Sequence, residues 1–272
     1  MKTFKLNFSG VPVYHGDIHK LTVEQCLQMT GLQVGELDVL DGSPPCQGFS
    51  TAGKRVMTDK RNQLYMEFVR LLRGLRPRVF IMENVSGLIK GKMKLIFADI
   101  MREMKASGYR VRCKLLNAMY FHVPQSRQRL IFIGAREDLG TEPSYPEAEA
   151  KPITVRESWA YPVQGRDDAV KMSPKFQGYW YAAGEGGSMG KFDSSRRARL
   201  NYPAKTLSKS EGYGGIYHPT EPRPLHTWER MRLASFPDSF IFMDWENAVS
   251  QIGNSVPPLF MRAIARHVYQ QS

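Results

Sequence analysis

The chain has 272 residues, 42% of them hydrophobic, enough for one large α/β domain or two lobes and too apolar for a disordered chain. Lys and Arg outnumber acids by 38 to 26, a net charge of +12 that suits a polyanionic partner or serves solubility alone. Cys26, Cys46 and Cys113 are too few and scattered for a disulfide framework or a zinc site, and no signal-like or bilayer-length apolar run occurs, so the sequence reads as cytoplasmic.

From residue 11 to about 136, short apolar runs alternate with amphipathic stretches, the pattern of a parallel α/β sheet. Leu37–Leu40 reads as a buried strand feeding the loop Asp41-Gly-Ser-Pro-Pro-Cys-Gln-Gly48. Residues 62–75 carry apolar residues at helical spacing, stopped by Pro77. Val79–Met82 reads as a second strand ending at Glu83-Asn84-Val85. A helix with Leu95, Ile96, Ile100, Met101 and Met104 is expected to end at Gly108 as its C-cap. Residues 110–116 and 129–134 read as two strands, an antiparallel pair around the turn Val123–Arg127. Residues 137–226 are rich in Pro, Gly and aromatics, a smaller irregular lobe. Residues 227–235 read as a helix, and a last one follows Pro257-Pro258 with Leu259, Ile264 and Val268 on its buried side.

Three stretches carry chemistry. A cysteine after a strand is commonly a buried structural residue. A Pro-Pro-Cys-Gln turn, however, holds a thiol rigidly, as a nucleophile requires. Glu83 ends the next strand; if the strands are neighbours, Cys46 and Glu83 share one sheet edge and divide nucleophilic addition and proton transfer. Read alone, Glu83 is a loop acid and Asn84 a turn residue. In Gln125-Ser-Arg127-Gln-Arg129, alternation along a strand places Arg127 and Arg129 on one face, suited to phosphate or carbonyl oxygens.

Taken in order, Pro45-Cys46-Gln47, Glu83-Asn84-Val85, Gln125-x-Arg127-x-Arg129, Pro203–Thr206 with Glu229–Asp238, and Gln251-Ile-Gly-Asn-Ser-Val256 resemble the motifs of the DNA (cytosine-5)-methyltransferase family. The resemblance covers roughly residues 6 to 270. It implies a Rossmann-like S-adenosylmethionine-dependent methyltransferase fold, with a catalytic domain over 1–136 and 227–272 and a target-recognition lobe over 137–226. It implies addition of Cys46 to C6 of a flipped cytosine in double-stranded DNA, Glu83 acting at N3, Arg129 at O2 and Arg127 supporting the pocket. Asp17, expected after a strand, Pro45, Asn254, Ser255 and Val256 are implied on the cofactor side. Residues 50–61 resemble the mobile loop that closes over DNA. Arg196, Arg197 and Arg199 fall in the recognition lobe, reaching phosphates or guanines. A bacterial or phage modification enzyme is the family-level expectation.

One part of the pattern is missing. The family's opening strand, its Phe-x-Gly-x-Gly cofactor loop and the following acidic strand are not found here. A truncated chain, a split enzyme whose cofactor site a separate chain completes, and an inactive relative each account for this. An RNA cytosine-5 methyltransferase and a catalytically silent DNA-binding module are the rival functions.

Overall fold

The computed structural model describes residues 1–45, 64–148, 151–161, 168–190, 192–210 and 215–271. In chain order the elements are α1 (Lys2–Asn7), α2 (Val23–Thr30), β1 (Val39–Gly42), α3 (Leu64–Leu75), β2 (Val79–Val85), α4 (Lys94–Lys105) and β3 (Tyr109–Asn117). There follow β4 (Gln125–Ser126), β5 (Gln128–Arg136), α5 (Val155–Ser158), α6 (Pro174–Ala183), β6 (Ser188–Met189), β7 (Phe192–Arg197) and β8 (Ala204–Lys205). The last are β9 (Ile216–Tyr217), α7 (Thr227–Leu233), α8 (Trp245–Asn254) and α9 (Pro258–Gln271). No helix among the described residues is long and apolar enough to cross a membrane.

Two compact units divide the chain. The first comprises Met1–Ser9, Asn117–Arg127 and Glu147–Ala263; the second comprises Gly10–Leu116, Gln128–Pro146 and Ile264–Ser272.

The second unit is built on a four-stranded sheet of order β1-β2-β5-β3. β1 and β2 run parallel and β2 and β5 antiparallel, so the expected parallel sheet is in fact mixed. β2 has partners on both sides, is buried along nearly its whole length and ends with Glu83, Asn84 and Val85, as expected. β1 lies two residues later than the expected Leu37–Leu40 strand. It is an edge strand, and its alternate residues are exposed, not buried, because side chains alternate between the two faces of the sheet and one face here is open. β3 and β5 are neighbours, as the expected pair required. Phe68, Leu72, Phe80, Ile100, Met104 and Phe132 form the core, from α3, α4 and the sheet. Gly134 lies opposite Phe80, whose ring fills the space a side chain there would need. α4 is capped at Ala106, and Gly108, at φ +85°, turns the chain two residues later. α2, which no apolar stripe announced, starts at a capping box: Thr22 Oγ1 accepts from the Gln25 N–H while Gln25 Oε1 accepts from the Thr22 N–H. No strand precedes Asp17, because Pro12 cannot donate to a ladder and residues 11–16 stay irregular.

In the first unit β6, β7 and β9 form a small sheet, and β4 pairs in parallel with β8. Short strands and turns replace periodic elements, in line with the composition. Val155, Leu207, Ile216, Leu225, Met231 and Ile252 form one core; Trp180, Met189 and Tyr217 belong to a second. α7 matches the expected helix over 227–235 to within two residues. α9 buries Phe260 in this unit, while Ile264 and Val268, buried as expected, belong to the other.

Candidate active site

Cys46 and the loop over 50–61 lie outside the described residues. Their approach is described. In the second unit β1 and β2 are parallel neighbours, so Pro44-Pro45, just past β1, follow at the same end of the sheet at which Glu83–Val85 close β2. The Asn84 side chain joins them: its Nδ2 donates to Pro44 O at 3.2 Å, and its Oδ1 accepts from the Val85 N–H at 2.9 Å. Asn84 is 3% exposed, so the loop end is tied to the sheet by a buried amide. Asn84, which read alone is a turn residue and within Glu83-Asn84-Val85 part of the motif, lies inside β2.

Glu83 and Arg129 meet in the same unit. The β2–β5 register sets Glu83 opposite Ile131 and Val85 opposite Arg129. Side chains two apart share a face, so Arg129 lies diagonally beside Glu83. Arg129 Nε stands 2.6 Å from Glu83 Oε1, with both side chains nearly buried at 14% and 11% exposure. Burial pulls the Arg129 guanidinium below the usual arginine value, and the charge and hydrogen bond of Glu83 oppose that shift. Arg129 also donates from Nη1 to Gln128 O at 2.7 Å. A carboxyl group and a guanidinium fixed side by side suit the polar edge of a planar base, with acceptor and donor adjacent.

Arg127 behaves differently. It falls between β4 and β5, outside either strand, so the alternation expected to align it with Arg129 does not operate. It belongs to the first unit and is 2% exposed. Its guanidinium donates to Leu207 O at 3.2 Å and Gly253 O at 2.8 Å, and its backbone N–H donates to Asn117 Oδ1 at 2.9 Å. Gln125 extends the network: Nε2 donates to Leu233 O at 3.3 Å, and Oε1 accepts from the Leu207 N–H at 3.2 Å. Gln125 was quoted in the motif without a role; it is 1% exposed and links the same segments. Gly253 has a steric reason: a Cβ there would run into the Ser208–Lys209 backbone.

Asp17 caps a short helical turn, Ile18–Lys20. Its Oδ1 accepts from the His19 N–H at 3.1 Å and contacts the His19 ring Nδ1 at 2.7 Å. The side-chain hydrogen bond with His19, more than any other cause, holds the carboxyl below its usual value. Oδ2 has no partner among the described residues, and an ionised, exposed and oriented acceptor fits the exocyclic amine of an adenine. Pro45, in the same unit, is exposed. Asn254, Ser255 and Val256, in the first unit, are exposed or half-buried where α8 ends, and Ser255 Oγ donates to Ile252 O at 2.8 Å.

The sequence profile described as C-5 cytosine-specific DNA methylase matches residues 1–158 and 161–270. The chain is 31% identical over 293 residues to the Type II methyltransferase M1.HphI of Haemophilus parahaemolyticus, covering 99% of this chain and 78% of that one. It is 30% identical over 321 residues to the Type II methyltransferase M.XorII of Xanthomonas oryzae, covering 97% and 75%. In fold it resembles a protein described as a DNA modification methyltransferase encoded in an Escherichia coli prophage, at a TM-score of 0.85 and 24% identity, covering 99% of this chain and 89% of that one. It also resembles the DNMT2 of Spodoptera frugiperda, at 0.69 and 16%, covering 98% and 88%. These proteins share the Rossmann-like methyltransferase fold expected from the motifs, and the chain belongs to the C-5 cytosine-specific DNA methylase family.

Proposed function

We propose that this chain methylates C5 of a cytosine flipped out of double-stranded DNA, as a bacterial or phage modification enzyme working in the cytoplasm, with Cys46 as its nucleophile. The observation that carries the reading is the buried Glu83–Arg129 pair, on a strand whose Asn84 holds the Pro44 carbonyl two residues before Cys46.

Cytosine C5 is a weak nucleophile until C6 carries an electron-rich substituent. The Cys46 thiolate adds to C6, and the displaced electron pair moves through the ring towards N3. Glu83, the carboxylate partner of Arg129, must first take up a proton; it then donates a hydrogen bond or proton at N3 and relieves that charge. Arg129 donates to the base O2 and keeps Glu83 in place, so base recognition and activation use one pair. S-adenosylmethionine, when bound, would supply an electrophilic methyl group; Asp17 and Pro45 are the residues of the second unit that would hold it, and Asn254, Ser255 and Val256 are carried as cofactor-side residues by the motif resemblance alone. Loss of the C5 proton to solvent water, with return of the N3 proton to Glu83, then lets Cys46 leave with its electron pair and restores the ring. Arg127 acts as a positioning residue. Residues 137–226 serve as the target-recognition lobe.

Duplex DNA of mixed sequence, with 5-fluorocytosine replacing cytosine, tests the reading. With methyl donor present the C5 fluorine cannot leave, so Cys46 should remain bonded to DNA and the adduct should survive a denaturing gel. Cys46→Ser should abolish it. A folded chain that gives neither adduct nor transfer of labelled methyl to ordinary DNA refutes the proposal.

A further inference from the structure

The first unit contains a cleft of about 350 Å³ bordered by Ser126, Arg196, Arg199, Tyr202 and Lys205, among others. Its cations differ in what they are bonded to. Arg197 borders the cleft too, but its Nε donates to Pro219 O at 2.6 Å and its guanidinium lies 3.7 Å from the centre of the Trp180 ring. Trp180 is 4% exposed and donates from its indole N–H to His218 O at 2.8 Å, so Arg197 is fixed into the core around it.

Arg196 and Lys205 are not committed in this way among the described residues, and Arg199 only rests its guanidinium 5.5 Å from the centre of the exposed Tyr202 ring. None has a carboxylate partner among the described residues. Arg196 is half-buried, while Arg199 and Lys205 are exposed. The Lys205 ammonium is pulled below the ordinary lysine value, first by desolvation and then by the charges of Arg196 and Arg199. Three like charges therefore converge without a counter-charge among the described residues. The register of β4 on β8 sets Lys205 opposite Ser126, the residue before buried Arg127. Gly186, at φ +77°, leaves the space that the Arg199 side chain occupies.

We propose that Arg196, Arg199 and Lys205 clamp successive DNA phosphates, whereas Arg197 is an architectural residue that touches no DNA. Phosphates are favoured over base edges because Lys205 is a flexible point charge, and because the exposed Arg199 guanidinium is not held in the fixed fork that bidentate guanine reading needs. The inference rests on the reading of the chain as a DNA methylase and refines its recognition lobe.

The test is fluorescence anisotropy of the full chain on two labelled duplexes of unrelated sequence over a salt series. Arg196→Ala, Arg199→Ala and Lys205→Ala should each weaken binding to both duplexes alike. Each should also lower the slope of log K against log salt by about 0.9. Arg197→Met should lower the melting temperature and, at a temperature where it is folded, leave the slope unchanged. An unchanged slope in the first three variants, or a loss confined to one duplex, overturns the assignment. Covalent trapping separates the two claims: an adduct with unaltered slopes sinks the clamp and spares the methylase, and altered slopes without an adduct do the reverse.

Discussion

Arg129 grips Glu83 with an Nε–Oε1 separation of 2.6 Å, diagonally across the β2–β5 ladder. The pair is nearly dry, so removing one member leaves a buried charge without its counterpart. Glu83→Ala is therefore expected to cost about 3 kcal/mol of stability, read from urea unfolding. Glu83→Gln keeps an acceptor for Arg129 but cannot supply a proton at N3, so it should stay closer to wild-type stability while losing methyl transfer. If Gln unfolds as readily as Ala, charge dominates the pairing.

Asn84 links Pro44 to β2 through one hydrogen bond of 3.2 Å. Asn84→Ala frees the end of the loop that carries the nucleophile, and misplacement of about 1 Å can lower kcat by about a hundredfold. Single-turnover rates at saturating DNA should show the loss in kcat rather than in KM. A change confined to KM excludes the positioning role.

Gly253→Ala forces a methyl group against the Ser208–Lys209 backbone, which cannot rotate away as a side chain can. A destabilisation of about 1–3 kcal/mol is expected, accompanied by loss of the Arg127 bond to Gly253 O. Thermal unfolding measures the first, and exchange of the Arg127 side-chain protons the second.

His218 makes stability depend on pH. Its Nδ1 accepts from the Thr220 N–H at 3.3 Å and the Glu221 N–H at 3.0 Å, bonds that only the neutral ring can accept. Burial holds its pKa below the ordinary 6.5, with Arg223 and His226 adding to the shift and Glu229 and Glu221 opposing it. The folded state thus binds fewer protons at this site than the unfolded state. Its contribution is complete above about pH 6.5 and declines as pH falls through the depressed folded value. The Trp159 ring stacks on His218 at 5.5 Å, so its fluorescence should follow the transition. His218→Gln should flatten the acid limb of the profile.

The site was legible where it depends on neighbours along the chain, and obscure where it depends on partners far away. Pro-Pro-Cys, Glu-Asn-Val and Gln-x-Arg-x-Arg announce their chemistry through residue type alone. Nothing local distinguishes Arg127 from Arg129, because their fates are set by the carbonyls of Leu207 and Gly253 in one case and by Glu83 in the other. The edge position of β1 is likewise a property of sheet order. α8 escaped notice because its buried stripe is short, Ala248, Val249 and Ile252. β6, β8 and β9 have two residues each, too few for any alternation to register. Arg196, Arg197 and Arg199 look equivalent in sequence; the Trp180 ring and the Pro219 carbonyl single out the middle one.

Gln125 and Arg127 bond to main-chain atoms of residues 207, 233 and 253, never to the side chains there. Such a clasp records the path of the chain and is blind to the identity of the residues that follow it. Mutational drift at positions 207 and 233 is therefore screened only by packing, and position 253 only by its lack of room. The burden of inheritance falls on two side chains, Gln125 and Arg127. A lineage can thus rewrite the residues along this path and still keep the bonds that Gln125 and Arg127 make to it.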